Sequence, residues 1–216
     1  MISDEIRQKL QNIVRGHGLE GQADHCTAIR NLLSQSFGSG PTIKSEFESR
    51  SILKKGQARF LKSHAKNNGL WIPSLPEGAQ YLTRGGESEI FLAPDNKHVI
   101  KVNDAVYYAT WTEYFNSLVI HNLLFSNTAY ELLGFTFGKD DALCAILNQP
   151  FIEGGQADLA NIKEYLTFNG FQNNKRQDYF NDEFGLVLED MHDENVIASD
   201  DVLFFIDTVF YIMDRK

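Results

Sequence analysis

Apolar residues recur at helical spacing through the first 70 residues of the chain. The stripes predict three helices, built on Ile6, Leu10 and Ile13, on Cys26, Ile29 and Leu33, and on Leu53, Phe60 and Leu61. Ser3 can cap the first helix, and Ser45 with Glu48 forms a capping box for the third. Such stripes are typical of core packing. Residues 1–76 are therefore predicted to be a helical N-terminal region followed by a proline-containing connector.

The pattern changes to strands and hairpin turns after the connector. Alternating or continuous apolar runs predict strands at 81–83, 89–93, 98–102, 132–137 and 143–148, with one helix over 112–125. Residues 77–148 are therefore expected to form an antiparallel sheet with a single helix. Further along, the sequence predicts a helix at 158–168, a polar loop at 173–178, and strands at 185–188 and 203–206. The predicted fold class is α+β.

Composition and charge narrow the function classes. The 216 residues are 43% hydrophobic, which is enough to build a packed core, and their net charge is -9. A general nucleic-acid binder needs a basic face, so no nucleic-acid partner is expected. Cys26 and Cys144 cannot form a disulfide scaffold or a paired-cysteine zinc site. The polar start and the lack of a long apolar run predict a cytoplasmic protein without a membrane partner.

Two glycines and a lysine form the first candidate constellation. Gly85 and Gly86 follow a predicted strand, and Lys101 ends the strand after the next turn. Glycine allows backbone amides to approach an anion closely, and a lysine on the neighbouring strand can reach the same phosphates. A glycine pair at a plain hairpin turn and a lysine at a solvated strand edge would look the same.

Three oxygen-bearing residues near the C-terminus form the second constellation. Asp190 lies five residues before Asn195, and Asp207 follows twelve residues later, after an apolar strand. An acid beside a buried strand must find a cation or hydrogen-bond donors. Asn195 and Asp207 could bind Mg²⁺, and Asp190 could accept a proton from a hydroxyl nucleophile. The alternative is an acidic loop that only caps strands and turns.

The order of these motifs resembles that of protein-kinase-like and aminoglycoside-phosphotransferase-like enzymes. The run YLTRGGESEIFLAPDNKHVIKVND, followed by QPFI, DMHDENV and FFIDTVF, more narrowly resembles the polyvalent protein kinase domain of bacteria and their mobile elements. The similarity covers roughly residues 76–216. It implies a reduced two-lobe kinase fold, with a small lobe over 77–148 and a hinge and truncated C-terminal lobe over 149–216.

The resemblance also implies roles for individual residues. The two glycines would cover the phosphates of ATP, and Lys101 would contact the α and β phosphates. Asp190 would orient or deprotonate the acceptor hydroxyl, while Asn195 and Asp207 would hold Mg²⁺. The implied function is Mg-ATP-dependent transfer of the γ-phosphoryl group to an unknown hydroxyl acceptor, either a protein or a small molecule.

The resemblance further implies a carboxylate partner for the lysine and a hinge for adenine. Glu113, twelve residues after Lys101, is the candidate partner. The hinge spans Gln149 to Ile152. Since proline has no N–H, Phe151 or Ile152 would donate the hydrogen bond to the base.

Two departures from the kinase pattern leave the activity open. Only nine residues follow Asp207, so no activation segment is expected, and Glu189 stands where many protein kinases have an arginine. The first alternative is a catalytically inactive, nucleotide-binding module with a regulatory or interaction role. The second is an α+β interaction domain whose acids only cap loops.

Overall fold

A computed structural model describes residues 2–20, 24–38 and 47–213 of the chain. In this part of the chain the α-helices are α1 (Asp4–Val14), α2 (His25–Phe37), α3 (Phe47–Asn67), α4 (Trp111–Leu124) and α5 (Leu159–Phe168). The first strands are β1 (Gln80–Arg84), β2 (Ser88–Leu92), β3 (His98–Asn103), β4 (Glu131–Phe137), β5 (Leu143–Pro150) and β6 (Gly155–Gln156). The others are β7 (Gln172–Lys175), β8 (Asp178–Asn181), β9 (Leu186–Glu189), β10 (Val196–Ser199), β11 (Val202–Phe205) and β12 (Val209–Ile212). The α+β class is confirmed.

The three N-terminal helices form where the apolar stripes predict them. The Ser3 side chain accepts a hydrogen bond from Ile6 N at 3.3 Å and caps α1, as expected. Asp24 caps α2 in the same way, with Thr27 N as the donor at 2.8 Å. The predicted capping box of Ser45 and Glu48 lies outside the described residues. The stripe residues of α1 and α2 are buried against α4, so these helices cover one side of the core.

A five-stranded antiparallel sheet supports the region from residue 80 to residue 150. The strand order is β1-β2-β3-β5-β4, which confirms the predicted strands. Since side chains alternate along a strand, Lys101 and its cross-strand partner Leu147 share the face that packs toward α4. Ile100 lies on the opposite face, in a small apolar cluster that includes Ile72 and Leu75 of the connector.

The connector begins by pairing with β4. Phe135 N donates to the carbonyl of Leu70 at 2.8 Å, and Ile72 N donates to the carbonyl of Phe135 at 2.9 Å. This backbone approach is close enough that a Cβ atom at Gly134 would collide with the Leu70 carbonyl oxygen. Glycine is therefore required there by the packing of two backbones.

Two smaller sheets and α5 form the C-terminal part. Their strand orders are β11-β10-β6 and β12-β9-β8-β7. The predicted loop at 173–178 is wrong, because β7 and β8 form a hairpin there. All four residues of β7 are exposed and polar at the edge of the sheet, so no apolar alternation marked it as a strand. No helix in the described ranges combines the length and the apolar character needed to cross a membrane.

Candidate active site

The glycine pair lies in the tight turn between β1 and β2. Gly85 N donates to the carbonyl of Ser88 at 2.8 Å and closes the turn. A Cβ atom at Gly86 would collide with the hydroxyl and ring of Tyr107, which lies in the loop between β3 and α4. The missing side chain therefore allows that tyrosine to lie directly on the turn, which we refer to as the glycine turn (residues 85–88).

Glu87 ties the glycine turn to the same β3–α4 loop. Its carbonyl accepts from Asp104 N at 3.2 Å, and in the same turn Ser88 Oγ accepts from the Asn103 side chain at 2.8 Å. Burial raises the pKa of Glu87, and the negative charge of Asp207 raises it further. One carboxylate oxygen of Glu87 is buried and has no hydrogen-bond partner among the described residues. The sequence reasoning missed Glu87, although an acid inside a presumed phosphate-binding turn is itself an unusual feature.

Lys101 connects the sheet to the C-terminal motif. The residue is 5% exposed, and its ammonium group donates to the carbonyl of Ile206 at 2.8 Å. The same nitrogen lies 3.8 Å from Asp207 Oδ1 and 5.3 Å from the centroid of the Tyr130 ring. A buried ammonium group needs such partners, because burial without them would cost several kcal/mol.

Backbone contacts hold the segment before Asp207 in place. Ile206 N donates to the carbonyl of Asn195 at 3.0 Å, and the Tyr130 hydroxyl donates to the Ile206 carbonyl at 3.0 Å. The Asp207 side chain is 55% exposed, so its carboxylate can reach a solute. The two candidate metal ligands therefore belong to chain segments that are directly hydrogen-bonded to each other.

Asp190 has a left-handed backbone conformation, with φ of 62°. Asn195 Nδ2 donates to the Asp190 carbonyl at 2.7 Å, and His192 Nε2 lies 2.8 Å from Asp190 Oδ1. The β7–β8 hairpin supports the turn, since Asp190 N donates to the Asp178 carboxylate at 3.2 Å. Non-glycine residues in this conformation are uncommon and are enriched at functional sites.

The amide of Asn195 is oriented in a way that suits a cation. Its nitrogen faces Asp190, which leaves the oxygen Oδ1 on the other side of the amide group. Among the described residues, no group of three or more histidine, cysteine or acidic side chains could hold a metal ion. Asn195 and Asp207 alone offer two oxygen ligands. Such a pair fits Mg²⁺, which commonly takes one or two protein oxygens and completes its shell with water and phosphates.

Glu113 has a local role in the structure. Its carboxylate accepts from Ala109 N at 3.0 Å, and its own N–H donates to Thr110 Oγ1 at 3.1 Å. The Thr110 bond caps the start of α4, and the carboxylate bond goes to Ala109 N, one residue before the N-cap that a capping-box glutamate normally contacts. Within the described ranges, Lys101 forms its ion pair with Asp207, and no contact with Glu113 is seen. The pairing of Lys101 with Glu113 stays a prediction.

The hinge uses part of its own hydrogen-bonding capacity. Gln149 is buried and donates through Nε2 to the Thr128 carbonyl at 2.8 Å. Phe151 N donates to the Lys97 carbonyl at 2.8 Å, so one of the two candidate donors for adenine is occupied. Ile152 is half-buried and is the remaining candidate.

Two residues of α3 that the sequence reasoning missed support the start of α4. Lys54 Nζ donates to the carbonyls of Ala105 and Tyr108 at 2.6 and 2.8 Å. The Gln57 side chain accepts from Trp111 N at 2.8 Å and donates to Thr112 Oγ1 at 2.8 Å. The available signal was a glutamine on the apolar stripe of α3, four residues after Leu53.

Residues 54–214 match a family model described as a serine/threonine/tyrosine kinase found in polyvalent proteins. The match covers about three quarters of the chain and includes every candidate site residue discussed above. It begins within α3, upstream of the connector. No curated protein matches the chain.

Proposed function

Because the chain belongs to the kinase family found in polyvalent proteins, we propose that it transfers the γ-phosphoryl group of Mg-ATP to a hydroxyl acceptor, a protein or a small molecule. The observation that carries the proposal is the convergence of distant motifs. Lys101 Nζ lies 3.8 Å from Asp207 Oδ1, and the backbone before Asp207 is hydrogen-bonded to Asn195. Such a lysine, aspartate and asparagine are the parts by which kinases bind and neutralise a triphosphate.

Each residue has one task in the proposed reaction. Lys101 would leave the Ile206 carbonyl and bind the α and β phosphates, and the backbone of Gly85 and Gly86 would cover them. Asn195 and Asp207 would hold Mg²⁺, which supplies charge neutralisation to the phosphates.

Asp190 would act on the acceptor. The acceptor oxygen forms a bond to the γ-phosphorus, and the bond from that phosphorus to the β–γ bridging oxygen breaks to release ADP. The hydroxyl proton passes to the Asp190 carboxylate, whose side chain is 60% exposed.

The proposed architecture has two lobes. Residues 77–148 would form the small lobe and residues 149–216 the hinge and the truncated C-terminal lobe, with residues 1–76 as a helical region beside them. ATP would lie between the lobes, with its base against the hinge from Gln149 to Ile152 and with the backbone N–H of Ile152 as the candidate donor. Glu113 remains the proposed carboxylate partner of Lys101, in addition to its contact with Ala109 N at the start of α4.

A second candidate is a nucleotide-binding module without turnover, favoured by the closed state of Lys101. Lys101 is 5% exposed, and its ammonium group already donates to the carbonyl of Ile206. Lys101 also lines neither of two cavities of about 650 and 670 Å³. In this reading the site would bind nucleotide weakly and transfer nothing.

Two measurements test the proposal. Mg-ATP should raise the melting temperature of the wild-type chain, because a ligand that binds only the folded state stabilises it. Asp207→Asn should abolish the part of this rise that requires Mg²⁺, while the exposed control Asp201→Asn should retain it. A wild-type chain that gains no stability from Mg-ATP contradicts both candidates.

Transfer of label from γ-labelled ATP separates the two candidates. We expect transfer to the chain itself or to an acceptor in a lysate, and we expect Asp190→Asn to abolish transfer while leaving the Mg-ATP thermal shift intact. Binding without transfer in the wild-type chain supports the inactive module. Equal transfer by the Asp190→Asn variant rules out its role as proton acceptor.

A further inference from the structure

His121 of α4 is a fully buried histidine with two defined partners. Its Nε2 lies 2.9 Å from the Thr128 carbonyl and 3.4 Å from Thr128 Oγ1, which donates elsewhere, and its Nδ1 lies 2.7 Å from Thr208 Oγ1. A carbonyl can only accept, so Nε2 must carry the ring proton, and Nδ1 must accept the hydroxyl proton of Thr208. The two contacts therefore fix both the tautomer and the orientation of the ring.

The environment keeps this ring neutral. Burial and, to a lesser extent, the positive charge of Lys101 together lower the pKa of His121 to about 3, against the opposing effect of the bond to Thr128. A neutral imidazole can hold one donor and one acceptor at once. His121 therefore serves as a fixed hydrogen-bond bridge from the Thr128 backbone to the Thr208 side chain.

The bridge ends beside the candidate metal ligand. Thr208 directly follows Asp207, and Ile206 before it is held by Lys101 and Tyr130. Both chain neighbours of Asp207 are thus hydrogen-bonded to the core, while the carboxylate between them is 55% exposed. This arrangement fixes the backbone of Asp207 and leaves its carboxylate accessible to a ligand from solution.

Helix α4 reaches the Asp207 segment only through neutral groups among the described contacts. Besides His121, Ser117 Oγ accepts from Phe210 N in β12 at 2.9 Å. The acidic residue at the start of the helix, Glu113, is used as a cap. Hydrogen bonds accepted by a histidine and a serine therefore connect this helix to the segment around Asp207.

We propose that His121 is a positioning residue for phosphotransfer, which holds the backbone of Asp207 in place for Mg²⁺ binding through the hydroxyl of the adjacent Thr208. The inference rests on the proposed function, because it requires that Asp207 bind the metal of Mg-ATP. Groups that orient a metal ligand commonly change metal affinity by about 10- to 100-fold when they are removed.

The test uses Thr208, because valine has nearly the same shape and lacks the hydroxyl. ATP binding is measured by calorimetry over a range of Mg²⁺ concentrations and again in EDTA. Thr208→Val should weaken the apparent Mg²⁺ affinity about tenfold, and its ATP affinity in EDTA should stay within about twofold of wild type. Thr208→Ser, which keeps the hydroxyl, should restore the Mg²⁺ affinity, and the exposed control Thr167→Val should match wild type.

Three outcomes overturn the inference. If Thr208→Val has the Mg²⁺ dependence of wild type, His121 does not act through that hydroxyl. If it loses affinity equally with Mg²⁺ and in EDTA, its role is only structural. If the nitrogen chemical shifts of the His121 ring show a proton on Nδ1 at neutral pH, the bridge itself is absent. A wild-type chain that does not bind Mg-ATP refutes the proposed function and this inference together, whereas an unaffected Thr208→Val variant refutes this inference alone.

Discussion

Substitution of Lys101 by methionine should separate ligand binding from stability. The methionine removes an ammonium group that donates to the Ile206 carbonyl and lies 3.8 Å from Asp207. An ion pair with a half-exposed carboxylate contributes roughly 0–1 kcal/mol, and the Ile206 carbonyl keeps the Tyr130 hydroxyl as a donor. The loss is offset because a buried charge no longer has to be desolvated. We therefore expect the free energy of unfolding to change by no more than about 1 kcal/mol, or about 2–4 °C in melting temperature.

The effect on nucleotide binding should be much larger. A hydrogen bond from an ammonium group to a phosphate contributes about 1.5–3 kcal/mol, so the affinity for Mg-ATP should fall at least tenfold. Calorimetric titration with Mg-ATP and urea unfolding of the same samples measure the two effects. Lys97→Met, which removes an exposed lysine of the β2–β3 turn, is the matched control. Unchanged affinity in Lys101→Met would refute the placement of the triphosphate. A large loss of stability would refute the expectation that avoided desolvation of the ammonium group offsets the lost ion pair and hydrogen bond.

The structure supports three further predictions. Gly134→Ala should lower the free energy of unfolding by about 1–3 kcal/mol, because its Cβ would meet the backbone carbonyl of Leu70. Gly86→Ala should lower it by less than about 0.5 kcal/mol, because its Cβ would meet only the side-chain hydroxyl end of Tyr107, which can move. Equal losses in urea unfolding would contradict this difference. The pKa of His121 falls from 6.5 to about 3 on folding, so the stability of the folded state decreases as the pH drops below 6.5. Between pH 7 and pH 5, the free energy of unfolding of the wild type should fall by about 2 kcal/mol more than that of His121→Gln, as measured by urea unfolding. Burial raises the pKa of both thiols, that of Cys144 to about 11, so neither Cys26 nor Cys144 should react with a thiol reagent at pH 8 until the chain is unfolded; fast labelling of the native chain contradicts this.

Local pattern was a good guide where burial and periodicity coincide. The strands of the large sheet and helix α4 carry continuous or alternating apolar residues, and the structure places them within a few residues of the predicted bounds. The β7–β8 hairpin was missed because its outer strand is entirely exposed and polar. Its pairing depends on the neighbouring strand, which no local pattern records.

The candidate site was predictable to the extent that its residues follow a linear order. Lys101, Asp190, Asn195 and Asp207 have motif spacing, and the contacts between their segments are consistent with it. The residues that orient them are held by contacts across long stretches of chain. His121, for example, reaches Thr208 over 87 positions, and nothing near it in the sequence signals that partner.

A readable local signal was nevertheless overlooked at Glu113. The order Thr110-x-x-Glu113 before an apolar run is the capping-box pattern; Thr110 Oγ1 accepts from Glu113 N, and the Glu113 carboxylate accepts from Ala109 N, one residue before the cap. This pattern predicts that the Glu113 carboxylate lies at the N-terminal end of α4. An acid at the third position of a helix can accept from a nearby backbone N–H, and this local bond competes with any ion pair to a distant residue.

The support that α3 gives to α4 affects how this kinase-family domain could be transferred from one protein to another. Lys54 and Gln57 satisfy the carbonyls and amides at the start of α4, and Leu61 and Ala65 of the same helix are fully buried. A transferred segment that began at the connector would leave these polar groups without hydrogen-bond partners from α3 and would expose the part of the core that α3 covers to water. Recombination of this kinase-family domain as a module would therefore have to carry α3 with it, and the boundary of the module would fall upstream of Lys54.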